Sequence, residues 1–364
     1  MEENEEERAL NERKFEFEDL ETLLKRQWEM EAVGLAEKKP RIAGNAEPSK
    51  EQWTPAQKAI DDRMRIIYLE DKKKFQMTIP WKDGEQPNFR NNRSHVKMRQ
   101  DKLMRNLSAE NMVKVRAIFS GYEEKDYVSR LNPADWYEPM SRYLPFFTVC
   151  DPNKDTTPMR VVWDCRAVYH GKSLNSEIED TPNRLQDLFR VLLRLRRFKY
   201  TITSDVSEMF LRVLLDPKDR PWHRFIFDGS DYVWNSILFG NVASPNGSQK
   251  VIATACEMFG AEFPEAVETL TNSFYMDDAS DSRATEEEAL ATAQQLLGLL
   301  TKVTMPIHKF YSNSPLVLRN IDAKLLAKQV HIGESSLEVE TGKVLGMRYN
   351  AAPGEDYLAF AGKF

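Results

Sequence analysis

Two adjacent carboxylates, Asp277 and Asp278, stand in the string Tyr275-Met276-Asp277-Asp278, with Leu270-Thr271-Asn272-Ser273-Phe274 before them and Ala279-Ser280-Asp281-Ser282 after them. Paired acids at the apex of a hydrophobic segment are costly unless a cation compensates them, and the flanks suit a strand, a tight turn and a short return strand. Such a hairpin presents at least one carboxylate to whatever lies above it. The same string also suits a solvated polar turn, so other residues must decide. Asp205 ends the β-rich run Phe198-Lys199-Tyr200-Thr201-Ile202-Thr203, and it is followed by Val206, whose carbonyl is a further oxygen donor, and by Phe210. Two-metal phosphoryl transfer needs carboxylates from different strands converging on ions roughly 3.5 to 4 Å apart, one activating the attacking hydroxyl and one steadying the leaving pyrophosphate. The succession Asp205, Ser244-Pro245, Tyr275-Met276-Asp277-Asp278, Lys309, Leu345-Gly346 is one that chance rarely produces.

These residues need elements to carry them. Leu185, Leu188, Leu192 and Leu195 repeat at helical spacing and predict a helix over 182–198, just before the strand that leads to Asp205. Ser244 with Pro245 behind it reads as the N-cap and first turn of a helix that carries Val251, Ile252, Ala255 and Phe259 on one face. Thr285 with Glu288 three residues on is a capping box opening a helix through Leu290, Ala293, Leu297 and Leu300. Upstream, Arg160–Asp164 and Phe75–Trp81 read as strands and 95–118 as a basic helix. Residues 1 to about 60 are charged and mostly helical in pattern, with Leu20, Leu23, Leu24, Trp28 and Met30 as a broken apolar stripe and a linker-like stretch near 38–50.

With 364 residues, 41% hydrophobic and 10% aromatic, the chain can bury a large core in two or more subdomains. Cys150, Cys165 and Cys256 are too widely spaced for a disulfide framework or a zinc knuckle. No apolar run approaches the roughly 20 residues of a bilayer span, and the N-terminus is acidic, so a soluble intracellular protein is expected. The formal charge of −6 is unevenly spread: the first two dozen residues carry about seven net negative charges and the remainder is about neutral. Basic residues cluster at Arg90, Arg93, Lys97, Arg99, Lys102 and Arg105, and again at Arg184, Arg190, Arg194, Arg196, Arg197 and Lys199. Either cluster suits phosphate neutralisation or an ordinary charged helix face.

Together these residues resemble a reverse transcriptase, specifically the polymerase segment of Bel/Pao-type LTR retrotransposons. The polymerase blocks are Arg160–Asp164, Ser173-Leu174-Asn175, Ser204–Phe210, Phe239–Pro245, Tyr275–Asp278 and Val344–Met347. The earlier blocks Trp28-Glu29-Met30-Glu31, Ile79-Pro80-Trp81-Lys82 and Tyr143-Leu144-Pro145 suggest the Bel/Pao branch, and the resemblance covers about residues 20 to 350. It implies an α+β right-hand polymerase fold, with an antiparallel palm sheet backed by helices. Fingers are expected over 92–180 and 216–243, and palm over 181–215 and 244–350 with the primer grip. A helical N-terminal extension and linker would fill 1–91, and the thumb would be largely missing, only its start fitting into 351–364.

The activity implied is RNA-directed DNA polymerisation: dNTPs added to a primer 3′-OH on an RNA or DNA template, with two Mg2+ ions, Mn2+ being a substitute. By position, Asp205, Asp277 and Asp278 would hold the metals with the Val206 carbonyl, and Lys309 would protonate or neutralise the departing pyrophosphate. Arg160 and Arg166 would meet the incoming triphosphate, Phe210 would crowd a 2′-hydroxyl, and Phe239 and Gly240 would lie under nucleotide and template, where glycine permits close approach. Tyr275 and Met276 would touch the primer end or support the hairpin, and Leu345 and Gly346 would press the primer towards the metals. Further partners implied are the protease, RNase H and integrase domains of a pol polyprotein, without a membrane, in the cytoplasm or in virus-like particles with access to the nucleus. Two other readings compete: a non-catalytic nucleic-acid-binding or assembly protein from a degenerate element, and a ribonucleotide polymerase, against which the aromatic Phe210 argues.

Overall fold

The computed structural model describes residues 53–150, 159–333, 337–351 and 357–360. The stripe from Leu20 to Met30 and the block Trp28–Glu31 lie outside the described residues. At the centre is a four-stranded antiparallel sheet in the order Phe274–Tyr275, Asp278–Arg283, Tyr200–Val206, Ile307–Ser312. Thr201, Ile202, Thr203, Ser204 and Val206 are all buried, as expected for a strand paired on both edges. Helices Leu188–Leu195, Pro264–Asn272 and Glu286–Lys302 pack on the sheet. The last is started by the expected Thr285–Glu288 capping box, carries Glu286, Glu287 and Glu288 in its positive first turn, and buries Ala289, Ala293, Leu296, Leu299 and Leu300. The α+β class expected from the sequence is the class observed.

A second, aromatic part of the core lies upstream. Strands Val128–Arg130, Ser230–Trp234 and Arg224–Phe227 form one antiparallel sheet, and Phe146–Cys150 pairs with Met159–Trp163 beside it. Phe119, Phe146, Trp163, Phe225, Phe227 and Trp234 join them, with Phe119 stacked on Phe227 at 4.1 Å between ring centroids. Strand Lys74–Met77 pairs with Ile66–Leu69 and, in parallel, with Leu214–Leu215, just beyond Phe210. From Trp53 onwards the stretch expected as a helical extension is therefore part of the body, and Met64, Phe75, Met77, Ile79 and Trp81 sit in the main core. At the far end, Gly342–Val344, Met347–Asn350 and Tyr357–Phe360 form a three-stranded antiparallel sheet, so the last described residues extend the hairpin as a strand.

Several element boundaries differ from the sequence reading, each for a local reason. The single helix expected over 95–118 is two, Arg93–Asn106 and Ala109–Glu124, because Leu107 is extended and Ser108 caps the second by accepting from the Asn111 amide at 3.2 Å. The helix expected over 182–198 begins only at Leu188, where Asp187 accepts from the Arg190 amide, and Leu185 is buried outside it. Ser244 is no cap: its Oγ donates to the Leu238 carbonyl at 2.8 Å, and Ala243 holds the cap position. Residues 270–272 end a helix instead of starting a strand, leaving two residues, Phe274 and Tyr275, as the incoming arm of the acidic hairpin. The Phe75–Trp81 strand stops at Met77; beyond it the Ile79 amide and the Trp81 indole N–H donate to the Asp219 carboxylate at 2.8 and 2.7 Å.

Candidate active site

Asp205 is the direct cross-strand partner of Asp278 on one side and of His308 on the other. Tyr275 and Asp278 close the hairpin, so Met276 and Asp277 are its two turn residues. Met276 has φ 55°, a left-handed conformation that costs a side-chain-bearing residue about 1–2 kcal/mol. Two bonds hold it there: the Val206 amide donates to the Asp277 carbonyl at 2.8 Å, and Gln249 Nε2 donates to the Met276 carbonyl at 2.7 Å. The end of the central strand and helix Ser244–Phe259 thus clamp the turn from two directions.

Lys309 Nζ donates to Asp205 Oδ2 at 2.8 Å, and His308 Nε2 lies 3.0 Å from Asp205 Oδ1. Neighbours in a regular strand point to opposite faces. Here the pairing with the central strand shifts register between His308 and Tyr311, and Lys309 takes φ 54°, so the irregularity turns both side chains onto one carboxylate. Burial alone would push the Asp205 carboxyl up, but the bonds from His308 and Lys309 outweigh it and hold it below the ordinary range. Its neighbours go the other way. Burial, then the charge of Asp205, pushes Asp277 up to about 6, and burial, then the charges of Asp277 and Asp205, pushes Asp278 up to about 8. The raised values of Asp277 and Asp278 mark a corner where buried carboxylates repel one another more than the Lys309 and His308 contacts relieve.

The all-oxygen chemistry of these three side chains fits a hard divalent cation such as Mg2+ or Mn2+. They do not form a closed cage. Among the described residues no group of three or more His, Cys, Asp or Glu is placed to hold a metal ion, and Asp205 gives both oxygens to Lys309 and His308. Val206 is buried, with its amide committed to the Asp277 carbonyl.

The remaining sequence candidates fall in three places. Phe210 is 8% exposed on the short 3-10 turn Met209–Arg212, its ring 4.6 Å from that of Phe239, which is 49% exposed. The preceding Glu208, at φ 54°, is gripped by Lys125 at 2.6 Å, Tyr127 at 2.8 Å and Arg212 at 3.1 Å. Gly240 has φ 94°, and a Cβ there would lie 2.6 Å from the Trp163 carbonyl oxygen, so the close approach this glycine permits is to the Trp163 backbone. Asn175 fastens the same loop, donating to the Gly240 carbonyl at 2.8 Å and accepting from the Val242 amide. Arg160 lies on the Met159–Trp163 strand, in a different sheet from the carboxylates, and Arg166 is exposed in the turn that follows that strand. Leu345 and Gly346, at φ 51° and 79°, form the two-residue turn of the third site, a hairpin closed by Val344 and Met347. Tyr311, on the Lys309 strand, anchors that hairpin: its hydroxyl lies 2.8 Å from the Glu340 carbonyl and 3.0 Å from the Tyr349 carbonyl, sharing its one proton between them, and accepts from the Gly342 and Ala351 amides, while the Tyr349 hydroxyl meets Thr201 Oγ1 at 2.5 Å.

Two of the basic candidates are interior. Arg93 makes a bidentate pair with Asp231 at 2.7 and 2.8 Å, and Arg184 pairs with Asp61 at 3.0 and 2.6 Å. The sequence reading passed over His308 and Gln249. No local signal marks either one, because each matters only through a partner brought in by the sheet.

No family model matches the chain, and no curated protein matches it. Among solved structures, the foamy viral protease-reverse transcriptase dRH in complex with double-stranded DNA is similar at a TM-score of 0.45 and 17% identity, over 65% of this chain and 33% of that one. The foamy viral protease-reverse transcriptase in complex with an RNA/DNA hybrid gives 0.45 and 15%, over 68% and 27%. A further complex of that protein with double-stranded DNA gives 0.43 and 18%, over 64% and 39%. The matched part of this chain thus covers well under half of each of these longer chains. Among the described residues no helix is long and apolar enough to cross a membrane.

Proposed function

We propose that this chain is a nucleotidyltransferase, an RNA-directed DNA polymerase of the Bel/Pao type that extends a primer with dNTPs. One observation carries the reading: Asp205 and Asp278 face each other across adjacent strands, Asp277 stands in the turn beside them, and Lys309 reaches Asp205 from the opposite edge. Asp205, Asp277 and Asp278 would hold Mg2+ or Mn2+, which when bound supplies an activated hydroxyl and offsets phosphate charge. The chain's own residues do the rest. Lys309 carries a proton within reach of the carboxylates and donates it to the leaving pyrophosphate. Phe210, braced by Phe239, offers an aromatic wall to the sugar, and Arg160 and Arg166 meet the triphosphate. The Leu345-Gly346 hairpin, tied to the central strand through Tyr311 and Tyr349, orients the primer.

The test is incorporation of dNTPs on a primed homopolymer RNA with Mg2+ or Mn2+, lost in Asp277→Asn and Asp205→Asn. A second reading, a non-catalytic nucleic-acid-binding or assembly protein, is favoured by the Lys309–Asp205 pair, since a carboxylate already neutralised has less need of an ion. It expects primer–template binding that is indifferent to Asp277→Asn, with no extension under either metal.

A further inference from the structure

Helix Leu188–Leu195 buries Val191 and Leu195 against the body and leaves Phe189 and Leu193, one turn apart, 67% and 54% exposed. Phe198, three residues past the end of the helix, is 41% exposed, with the Arg197 guanidinium 4.7 Å from its ring. Arg190 and Lys199 are exposed as well. Large apolar side chains grouped at a surface and rimmed by charge mark an interaction site.

We propose that this face is the docking surface for the chain's own acidic N-terminal arm, centred on residues 16–31. Charge complementarity supports this occupant: residues 1–24 hold ten acidic and three basic side chains, opposite the Arg190, Arg197 and Lys199 rim. Within the arm, Leu20, Leu23, Leu24 and Trp28 recur at the spacing by which an amphipathic helix lays one face into a groove. The point of attachment is the second, independent observation. The described body begins at Trp53, which is buried with the Arg184 guanidinium 4.9 Å from its ring, and Arg184 lies four residues before the first residue of the helix. Trp53 therefore lies beside the segment that leads into this helix, and covalent linkage of residues 16–31 to the same chain sets their effective concentration at the face at about the millimolar range. Apolar contacts to Phe189, Leu193 and Phe198 hold it, and the basic rim selects an acidic segment.

Hydrogen exchange on the full chain tests this. In wild type the amides of 188–199 are expected to exchange about tenfold more slowly than in the full chain carrying Leu23→Ser, Leu24→Ser and Trp28→Ser. The doubly reversed patch, Arg190→Glu with Arg197→Glu, loses the same protection, and in wild type the protection is unchanged by dilution. Equal rates in wild type and the arm variant overturn the proposal. So does protection that falls on dilution, which assigns the face to a second copy, or protection that arises only when a primer–template oligonucleotide is added.

Discussion

Lys309 Nζ reaches Asp205 Oδ2 at 2.8 Å, so the side chain proposed as the proton donor is also the cation paired with the central carboxylate. A divalent ion held by Asp205, as proposed, would compete with the Lys309 ammonium for that oxygen. Lys309→Met is therefore expected to bind Mn2+ about three- to tenfold more tightly, read by electron paramagnetic resonance, while dNTP incorporation falls about 10²- to 10⁴-fold, the range of a lost general acid. Weaker Mn2+ binding in the variant would show that Lys309 does not compete with the ion.

Asp277 and Asp278 set a pH dependence of definite sign. Their folded values, about 6 and about 8, lie above the ordinary 3.8, so between about pH 4 and 8 the folded chain binds more protons than the unfolded one. Without divalent ions, stability then falls as pH rises, by up to about 1.4 kcal/mol per pH unit for each proton. Asp205, held low, acts oppositely, losing its contribution only as pH falls below the ordinary carboxylate range. Urea unfolding in chelator between pH 5.5 and 8.5 checks this: wild type should slope downward and Asp278→Asn should be flatter, whereas parallel curves would refute the assignment.

Bound Mn2+ should reverse that trend, because it displaces the protons. At an ion concentration 100 times Kd the folded state gains about 2.7 kcal/mol, and more Mn2+ is needed at pH 6 than at pH 8. Melting temperature against Mn2+ at the two pH values reads this without any turnover.

Gln249→Leu removes the side-chain donor to the Met276 carbonyl and leaves the left-handed turn held from one side. A cost of about 1–3 kcal/mol is expected for the unsatisfied acceptor. Incorporation should fall with little change in primer–template affinity, since Gln249 acts by positioning Asp277. A parallel loss of both would mean that the whole site had collapsed.

Phe210→Val tests the sugar wall. The ring is buried against Phe239, so the change costs stability, on the order of a few kcal/mol. In an active variant, ribonucleotide incorporation should rise relative to dNTP incorporation. Unchanged selectivity would show that the ring does not meet the sugar.

Several elements around the candidate site were legible before any folding, because their signals are local. The Tyr275–Asp278 turn, the Thr285–Glu288 capping box and the strand ending near Asp205 each depend on a handful of neighbouring residues. Boundaries were less legible where two local signals compete, as at Ser108 and Asp187, whose capping bonds break or delay helices that the apolar spacing alone would have carried through. Arg93 and Arg184, read as candidates for phosphate binding, found carboxylate partners 138 and 123 residues away.

What the amino-acid order determined by itself was the set of acids, the turn that displays two of them and the class of fold able to carry them. The tertiary structure alone decided that His308 and Lys309 both turn onto Asp205, 103 and 104 residues earlier in the chain, and that Gln249 holds the Met276 turn. The reason is physical: cross-strand register and a local irregularity choose which side chains share a face, and both are set by packing between distant segments.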